Sequence, residues 1–427
     1  MREMKDSGIE WIGEIPASWD ISPIKYNYEI VAGATPDSSN AENWDGDIAW
    51  ITPADYKTND VYIFKGKRTI SNRGYKSCAT SLLPIGSIIF SKRAPIGSVA
   101  ISATSLCTNQ GCLGLIKKNS AVNNKFFYYV LSIYSDVFNL FGSGTTFKEI
   151  SANTFANIAL PYPQVSTQER IAAFLDTKCT ELDALSADIQ KEIKILEQYK
   201  RSVITETVTK GLNPDAEMKD SGVAWCPQIP SHWQYSNPKG LFGLRTDRAF
   251  RDDRQLTASQ EYGIVYQDEY MEKTGNKVVT VTKDFSILKH VEPGDFVISM
   301  RSFQGGLEYS DKRGCISSAY VMLIPNKEFV YIPFYRWFFK SSKYINALQS
   351  TSNLVRDGQA MRYANFVKVP LFIVPIEEQK AIASYLDEKI EKVNSILAEK
   401  KKQLEILPNY KKSLIYEYVT GKKEVLT

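Results

Sequence analysis

The sequence has few of the residues that build metal sites or disulfide frameworks. Only two histidines occur among its 427 residues, His232 and His290, and none of the six cysteines stands in a C-x-x-C pair. Because structural zinc sites take four closely spaced Cys or His ligands, a zinc site of ordinary spacing is excluded, and we expect no bound metal. Scattered cysteines in a chain of this size are typical of a reducing compartment, so we expect a cytoplasmic location.

Long apolar runs and a large charge excess are also missing. No stretch approaches the roughly 18 apolar residues that span a bilayer, and the polar start Met1–Glu10 does not resemble a signal peptide. Lysine and arginine exceed the acids by only four. Net charge therefore says little about nucleic-acid binding, and the positions of the cations must decide.

Motifs for catalysis are absent or out of context. F-G-S-G at Phe141–Gly144 is similar to a methyl-donor glycine loop, but it follows a helical-looking segment instead of a buried strand. P-D-A-E-M-K at Pro214–Lys219 is similar to a nuclease metal motif, but it is a contiguous run after a helix. No N-P-P-Y or D-P-P-Y tetrapeptide marks an adenine-flipping pocket. We expect no catalytic site and no cofactor bound by this chain.

The most informative feature is an internal repeat. M-K-D-S-G-I-E-W-I-G-E-I-P-A-S-W at Met4–Trp19 returns 214 residues later as M-K-D-S-G-V-A-W-C-P-Q-I-P-S-H-W at Met218–Trp233. Q-E-R-I-A-A-F-L-D-T-K at Gln168–Lys178 returns 211 residues later as Q-K-A-I-A-S-Y-L-D-E-K at Gln379–Lys389. Each half is therefore a variable region of roughly 150 residues followed by a similar tail.

Both tails have the periodicity of long helices. Apolar residues recur in steps of three and four, from Ile171 to Val203 and from Ile382 to Leu414. About 40 residues make a rod on the order of 60 Å. Such helices favour pairing with each other, and an antiparallel pair would place the variable regions at opposite ends around a pseudo-twofold axis. The alternative is that each helix packs only on its own globular half.

Single residues mark the ends and an irregularity of the two helices. Neither tail contains glycine before Gly211 and Gly421, which suit helix ends. Pro408 predicts a kink or a short break in the second helix, because proline removes a backbone hydrogen bond.

Each variable region presents a strand that ends in a cationic, glycine-containing loop. G-S-I-I-F-S-K-R-A-P-I-G at Gly86–Gly97 aligns with G-D-F-V-I-S-M-R-S-F-Q-G at Gly294–Gly305, so that Arg93 matches Arg301. An arginine can read guanine O6 and N7 with two hydrogen bonds in the major groove. The alternative for each arginine is a structural salt bridge or a loop cap.

A second polar loop precedes each tail, at Gly142–Ser151 and at Ser350–Tyr363. These loops carry donors suited to phosphates and base edges, and they differ between the halves, as readers of two different half-sites require. The candidate DNA-binding residues of the first half are Lys92, Arg93, Gln110, Thr145, Thr146 and Lys148. Those of the second half are Arg301, Ser302, Gln304, Arg356, Gln359 and Arg362.

These motifs resemble the specificity subunit of type I restriction-modification systems, the HsdS family, over nearly the whole length. The marks are the Met4–Trp19 motif, S-K-R-A-P-I-G, T-N-Q-G at Thr108–Gly111 and P-x-x-E-Q-x-x-I-A-x-x-L-D. The last is complete from Pro375 to Asp387, whereas the first half has Thr167 in place of the glutamate. The second S-M-R-S-F-Q-G-G loop departs from the commoner A-P-x-G form, which puts the contacts of the second domain in doubt.

The resemblance implies a non-catalytic subunit in which two target-recognition domains each read one half of a gapped double-stranded DNA target. Two conserved helices set the gap and dock two methyltransferase subunits, which bind S-adenosylmethionine. A translocating endonuclease subunit completes the complex. The sequence leaves two alternatives, a scaffold that binds polypeptides and a self-contained methyltransferase.

The resulting fold prediction is α+β, with two mixed α/β recognition domains separated by two long antiparallel coiled-coil helices in a pseudo-twofold repeat. We place the first domain at residues 1–165 and the first helix at 166–212. The second domain follows at 213–375, and the second helix with the tail occupies 376–427.

Overall fold

A computed structural model describes residues 2–57, 60–143, 148–281, 284–299, 302–351 and 362–425. The chain forms two compact units: unit 1 contains residues 1–189 and 402–427, and unit 2 contains residues 190–401. Each unit therefore includes one variable region and a stretch of each long tail. Over the described ranges, no helix is both long and apolar enough to cross a bilayer.

Unit 1 is a mixed α/β domain. Its strands are β1 Met4–Asp6, β2 Glu14–Pro16, β3 Asp20–Pro23, β4 Tyr28–Ala32, β5 Trp44–Ile51, β6 Tyr62–Ile63, β7 Arg68–Ile70, β8 Ile88–Ser91, β9 Val99–Ser102, β10 Leu106–Thr108, β11 Cys112–Lys117 and β12 Ala159–Tyr162. Its short helices are α1 Ile24–Asn27, α2 Asn72–Ser77, α3 Asn124–Ser132, α4 Ser135–Leu140 and α5 Ala152–Ala156. The main sheet has the order β4-β11-β8-β9-β6, and a three-stranded sheet has the order β10-β5-β7.

The centre of the main sheet in unit 1 is fully buried. All four residues of β8 are buried, as expected for a short apolar run between covered faces. β11 pairs with it antiparallel and sets Cys112 opposite Ser91. Helix α3 contributes Phe126 and Phe127, both 0% exposed, to the same core. The end of β8 and the start of β11 are thus neighbours on a rigid base.

The first long helix, α6, spans Val165–Lys210 and belongs in part to each unit. Unit 2 is also mixed α/β, with strands β13 Met218–Asp220, β14 Gln228–Pro230, β15 Gln234–Ser236, β16 Phe242–Arg245, β17 Leu256–Ser259, β18 Gly263–Tyr266, β19 Lys289–Val291, β20 Phe296–Ile298, β21 Glu308–Tyr309, β22 Gly314–Ile316, β23 Val321–Pro325 and β24 Leu371–Ile373. Its helices are α7 Pro238–Leu241, α8 Gln267–Thr274, α9 Ser302–Gly305, α10 Ile332–Phe338, α11 Ser342–Ser350, α12 Tyr363–Phe366 and the second long helix, α13 Ile376–Val419. An antiparallel sheet of order β16-β23-β20-β21 lies at its centre.

The two long helices run antiparallel within each unit. In unit 1, Asp183 Oδ1 of α6 lies 2.7 Å from Lys411 Nζ of α13, and the rings of Phe174 and Tyr418 are 4.4 Å apart. A residue earlier on α6 thus meets a residue later on α13. The predicted antiparallel pair is confirmed, and the same helices also contribute to each unit's apolar core.

Unit 2 repeats this arrangement. Glu192 of α6 binds Lys400 of α13 at 2.6 Å, and Lys200 of α6 donates to Asn394 Oδ1 at 2.7 Å. The pairing is again antiparallel, because the α13 partner moves backwards as the α6 residue moves forwards.

The structure settles two details of the helix prediction. Helix α13 continues through Pro408, so the short break does not occur, because a helix held by tertiary packing tolerates the loss of one backbone hydrogen bond. The alternative of a kink at Pro408 stays a prediction. Leu185, which belongs to the repeat of apolar residues between Ile171 and Val203 and was therefore expected to be buried, is 47% exposed.

The internal repeat is visible as two hairpins in the same register. β1 pairs with β2 so that Met4 faces Pro16, and β13 pairs with β14 so that Met218 faces Pro230. In each hairpin an aspartate side chain accepts from a glycine N–H two residues later at 2.9 Å. The repeated D-S-G spacing is therefore a turn motif.

Candidate nucleic-acid interface

Ser91 shapes the first candidate loop of unit 1. Its hydroxyl donates to the Pro95 carbonyl at 2.6 Å and accepts from the Ser98 N–H at 2.8 Å. The Gly97 N–H also donates to the Ser91 carbonyl at 2.9 Å. These bonds close the loop directly after β8, so that Lys92 and Arg93 emerge from its first two positions.

Gly97 allows this loop to lie against a helix. Its φ is +100°, and a Cβ at this position would stand 2.7 Å from the Cα of Ser135, the first residue of α4. Only glycine accommodates both the backbone conformation and the contact. The loop is therefore held by the backbone of the next helix.

The second candidate loop meets the first one through backbone bonds. The Ile150 N–H donates to the Lys92 carbonyl at 3.0 Å, and Arg93 forms an antiparallel bridge with Glu149. The two polar segments, although more than 50 residues apart in the chain, form one surface.

A single carboxylate connects the cations of this surface. Glu149 Oε1 lies 2.7 Å from Lys92 Nζ, and its Oε2 lies 3.4 Å from Arg93 Nη1. The hydrogen bond from Lys92 and the nearby positive charges hold the pKa of Glu149 below its ordinary value. Sequence reasoning missed Glu149, since no local pattern indicates that it faces a strand end so far away.

Gln110 and Lys148 flank the same surface. The Lys92 N–H donates to the Gly111 carbonyl at 2.9 Å, which brings the turn before β11 beside the loop. Gln110 is exposed and accepts a hydrogen bond from the Thr35 hydroxyl. Lys148 is exposed next to Glu149. Unit 1 thus brings four predicted residues together, whereas Thr145 and Thr146 lie outside the described residues.

For Arg93, the structure contains the salt bridge that the sequence left open as an alternative. Lys92 is only 14% exposed and is fixed by the same acid. DNA contact by these two residues stays a prediction.

In unit 2 the corresponding strand end is organised differently. The Ser299 N–H donates to the Ser302 hydroxyl at 2.8 Å, and Ser302 is 1% exposed at the start of α9. The hydroxyl of Ser302 is thus used inside the fold, which argues against a direct contact with DNA. Gln304 lies in α9 with its side chain outside the described part of the structure, and Arg301 also falls outside it.

In unit 2 the glycine that lies against the following helical segment is one residue later than the position aligned with Gly97. Gly306, with φ +82°, would place a Cβ 2.0 Å from the Phe339 carbonyl oxygen. It therefore has the role of Gly97, whereas the alignment had matched Gly97 with Gly305.

Asn365 holds the second loop of unit 2 at its base. Its Nδ2 donates to the Thr351 carbonyl at 2.9 Å, and its Oδ1 accepts from the Arg362 N–H at 3.2 Å. Arg362 is exposed at this base. Arg356 and Gln359 lie between these anchors, outside the described residues.

One glutamine attaches each variable region to its long helix. In unit 1, Gln168 Oε1 accepts from the Asn123 N–H at 2.8 Å, and its Nε2 donates to the carbonyls of Ala121 and Pro163 at 3.0 and 2.8 Å. The side chain is 1% exposed. The sequence showed this residue only as a mark of the repeat.

Gln379 repeats the arrangement in unit 2. It accepts from the Tyr331 N–H and donates to the carbonyls of Phe329 and Val374, all at 2.8 Å. The repeated glutamine is therefore a buried bridge between helix and domain.

A family model matches most of this chain. Residues 16–195 and 230–406 match the type I restriction modification DNA specificity domain. Each matched segment contains one strand-end loop, one second loop and one bridging glutamine. The family match thus follows the internal repeat.

Individual relatives agree with the family match. The type I restriction enzyme MjaIX specificity subunit of Methanocaldococcus jannaschii is 36% identical over 189 residues, which cover 44% of this chain and 43% of that protein. The putative type I restriction enzyme MjaX specificity subunit of the same organism is 24% identical over 97% of this chain and 96% of its own length.

Solved structures share the fold. A chain from work on complex assembly and conformational transition of the type I R-M system has a TM-score of 0.71 at 15% identity, covering 96% of this chain and 99% of that chain. The HsdS subunit from Thermoanaerobacter tengcongensis has a TM-score of 0.60 at 14% identity, covering 96% of this chain and 98% of that chain.

Proposed function

We propose a mode of DNA reading for this chain, which belongs to the type I restriction-modification DNA specificity family and is a sequence-specificity subunit with two recognition domains. Each unit reads one half of a gapped double-stranded target, and the paired helices set the gap. The observation that carries this proposal is the duplication itself. Two units carry a strand-end loop and a second loop, and both are attached to the long helices by the same glutamine bridge.

Base and phosphate contacts come from the loops in this proposal. Lys92, Arg93, Gln110 and Lys148 supply cations and an amide from one surface of unit 1, and Thr145 and Thr146 belong to the same loop pair. Unit 2 uses Arg301, Gln304, Arg356, Gln359 and Arg362, with Ser302 shaping the strand-end loop. Phosphate contacts provide most of the affinity and make it fall steeply with salt, while base contacts provide selectivity.

The long helices offer surfaces for protein partners. Ile406 and Tyr410 in unit 1 are 53% and 54% exposed, and Ile195 and Ile396 in unit 2 are 53% and 45% exposed. Exposed apolar side chains on a helix that already has a buried face suit a protein contact. Two methyltransferase subunits dock here, carry S-adenosylmethionine and perform the chemistry on DNA adenine, and the endonuclease subunit joins through them. This chain contributes no catalytic group, and the complex works in the cytoplasm.

The methylated motif tests the proposal. Cells without other methyltransferases would express the chain with its partner subunits, and sequencing would identify the methylated sites. We expect a two-part motif with an unspecified gap. Arg93→Ala should relax only one half and Arg301→Ala only the other.

Arg73→Ala is the matched control, because Arg73 is outside the candidate loops in the sequence and pairs with Glu42 in an exposed ion pair of unit 1. An ungapped motif would refute the two-part reading. A complex without salt-dependent DNA binding would instead support the polypeptide scaffold.

A further inference from the structure

Glu149 holds both cations that unit 1 presents at its strand end. The Lys92 contact is short and largely buried, at 2.7 Å with the lysine side chain 14% exposed. The Arg93 contact is longer, at 3.4 Å with the arginine side chain 33% exposed. Lys92 therefore fixes the carboxylate, and the carboxylate then restrains the more accessible guanidinium.

The restraint leaves one edge of Arg93 available. Among the described residues, its Nη1 is the one guanidinium nitrogen in a hydrogen bond or ion pair, and the partner is Glu149 Oε2. The Nε and Nη2 donors form another edge of the planar guanidinium, which does not include Nη1. Two such donors match the O6 and N7 acceptors of guanine.

The carboxylate also opposes unselective binding. A DNA phosphate that approached Lys92 or Arg93 would meet the charge of Glu149 and would have to replace it as their partner. A base edge carries no net charge and therefore meets much less of this repulsion.

We propose that Glu149 is a specificity-determining, positioning residue: it holds Arg93 in an orientation suited to a guanine edge and suppresses phosphate contacts by Lys92 and Arg93. This role rests on the proposed DNA reading by unit 1. Glu149 lies in unit 1, so the half-site read by unit 2 is an internal control.

Glu149→Gln tests the charge while keeping the shape and an acceptor for Lys92. The full complex with its methyltransferase partners would bind target and non-target duplexes over a range of salt concentrations. We expect non-target affinity to rise about threefold to tenfold and the slope of log K against log salt to steepen by about 0.9, the value for one additional phosphate contact. The methylated motif should relax in the half read by unit 1 and stay intact in the other half.

Glu149→Asp separates position from charge. The shorter arm keeps the negative charge but withdraws the carboxylate from Arg93, so the salt slope should stay at the wild-type value while the unit 1 half-site relaxes. Glu42→Gln is the control, because it removes one charge from an exposed pair with Arg73 in the same unit. It should change neither readout.

The proposal is overturned if Glu149→Gln behaves like Glu42→Gln, or if both half-sites relax together. If the wild-type complex still reads a two-part target, either of these results leaves the proposed function intact. Loss of salt-dependent DNA binding by the wild-type complex itself would overturn the proposed function.

Discussion

Replacing Gln168 by methionine should uncouple the first variable region from helix α6. Methionine fills a similar volume, so packing is kept while the three side-chain hydrogen bonds are lost. The hydrogen bond to the Pro163 carbonyl is fully buried, and the hydrogen bonds to the Asn123 N–H and the Ala121 carbonyl are partly buried. An unsatisfied buried group costs about 1–3 kcal/mol, and each partly buried bond contributes about 0.5–1.5 kcal/mol.

The expected loss of stability is therefore about 2–6 kcal/mol. Urea unfolding monitored by circular dichroism would measure it through the change in the unfolding midpoint. Gln379→Met should lose a similar amount in unit 2, because its three bonds have nearly the same lengths and partners.

Gln198→Met is the matched control for this prediction. Gln198 lies on the exposed face of the same helix, so the substitution changes the side chain without removing a buried bond. The reasoning would be refuted if Gln168→Met unfolded within about 0.5 kcal/mol of Gln198→Met, the usual spread for surface changes.

Three further predictions use the same unfolding measurement. Pro408→Ala should raise stability by about 1–3 kcal/mol, because alanine restores a backbone donor within the unbroken helix α13; a loss would show that the proline geometry is needed. Gly421→Ala should lower the free energy of unfolding more than Gly222→Ala does. Both glycines have a positive φ, but a Cβ at Gly421 would stand 2.6 Å from Pro16 atoms, whereas a Cβ at Gly222 would have no atom within 4 Å. Equal losses of stability in the two variants would contradict this reasoning. The lowered pKa of Glu149 means that its ionised form stabilises the fold above the unfolded-state value of about 4.3, and that this contribution disappears as pH falls through the lower folded-state value. The free energy of unfolding of Glu149→Gln should therefore fall less on acidification than that of the wild type. If both proteins lost the same stability at acid pH, the result would argue against the ion pairs.

The long helices and the repeated hairpins could be predicted from sequence periodicity. The long helices follow from apolar steps of three and four, and α6 begins at Val165 and α13 at Ile376, within one residue of the predicted starts. The repeated hairpins follow from a motif that returns in register. In these elements the pattern and the fold agree because neighbours along the chain are also neighbours in space.

The interior of the candidate site was not predictable in the same way. Arg93 and Glu149 lie 56 residues apart, and their meeting depends on a pairing between loops that no local pattern reports. The shift from Gly305 to Gly306 likewise depends on where the Phe339 carbonyl lies. Such contacts are decided by tertiary packing around the end of a strand, which sequence spacing does not encode.

Because the chain is duplicated, a contact that recurs in both units has a different meaning from one that differs between them. Gln168 and Gln379 make the same three bonds in both units, and the reach of Lys411 to Asp183 recurs as that of Lys200 to Asn394. Contacts that recur in both units hold a shared frame, because the frame must be the same whatever sequence is read. Residues that read two different half-sites must differ between the units. The recurrence of an arginine at the strand end is therefore weak support for base reading by itself. Glu149 belongs to a loop whose sequence differs between the two halves, and this is why it is the sharper candidate for selectivity in unit 1.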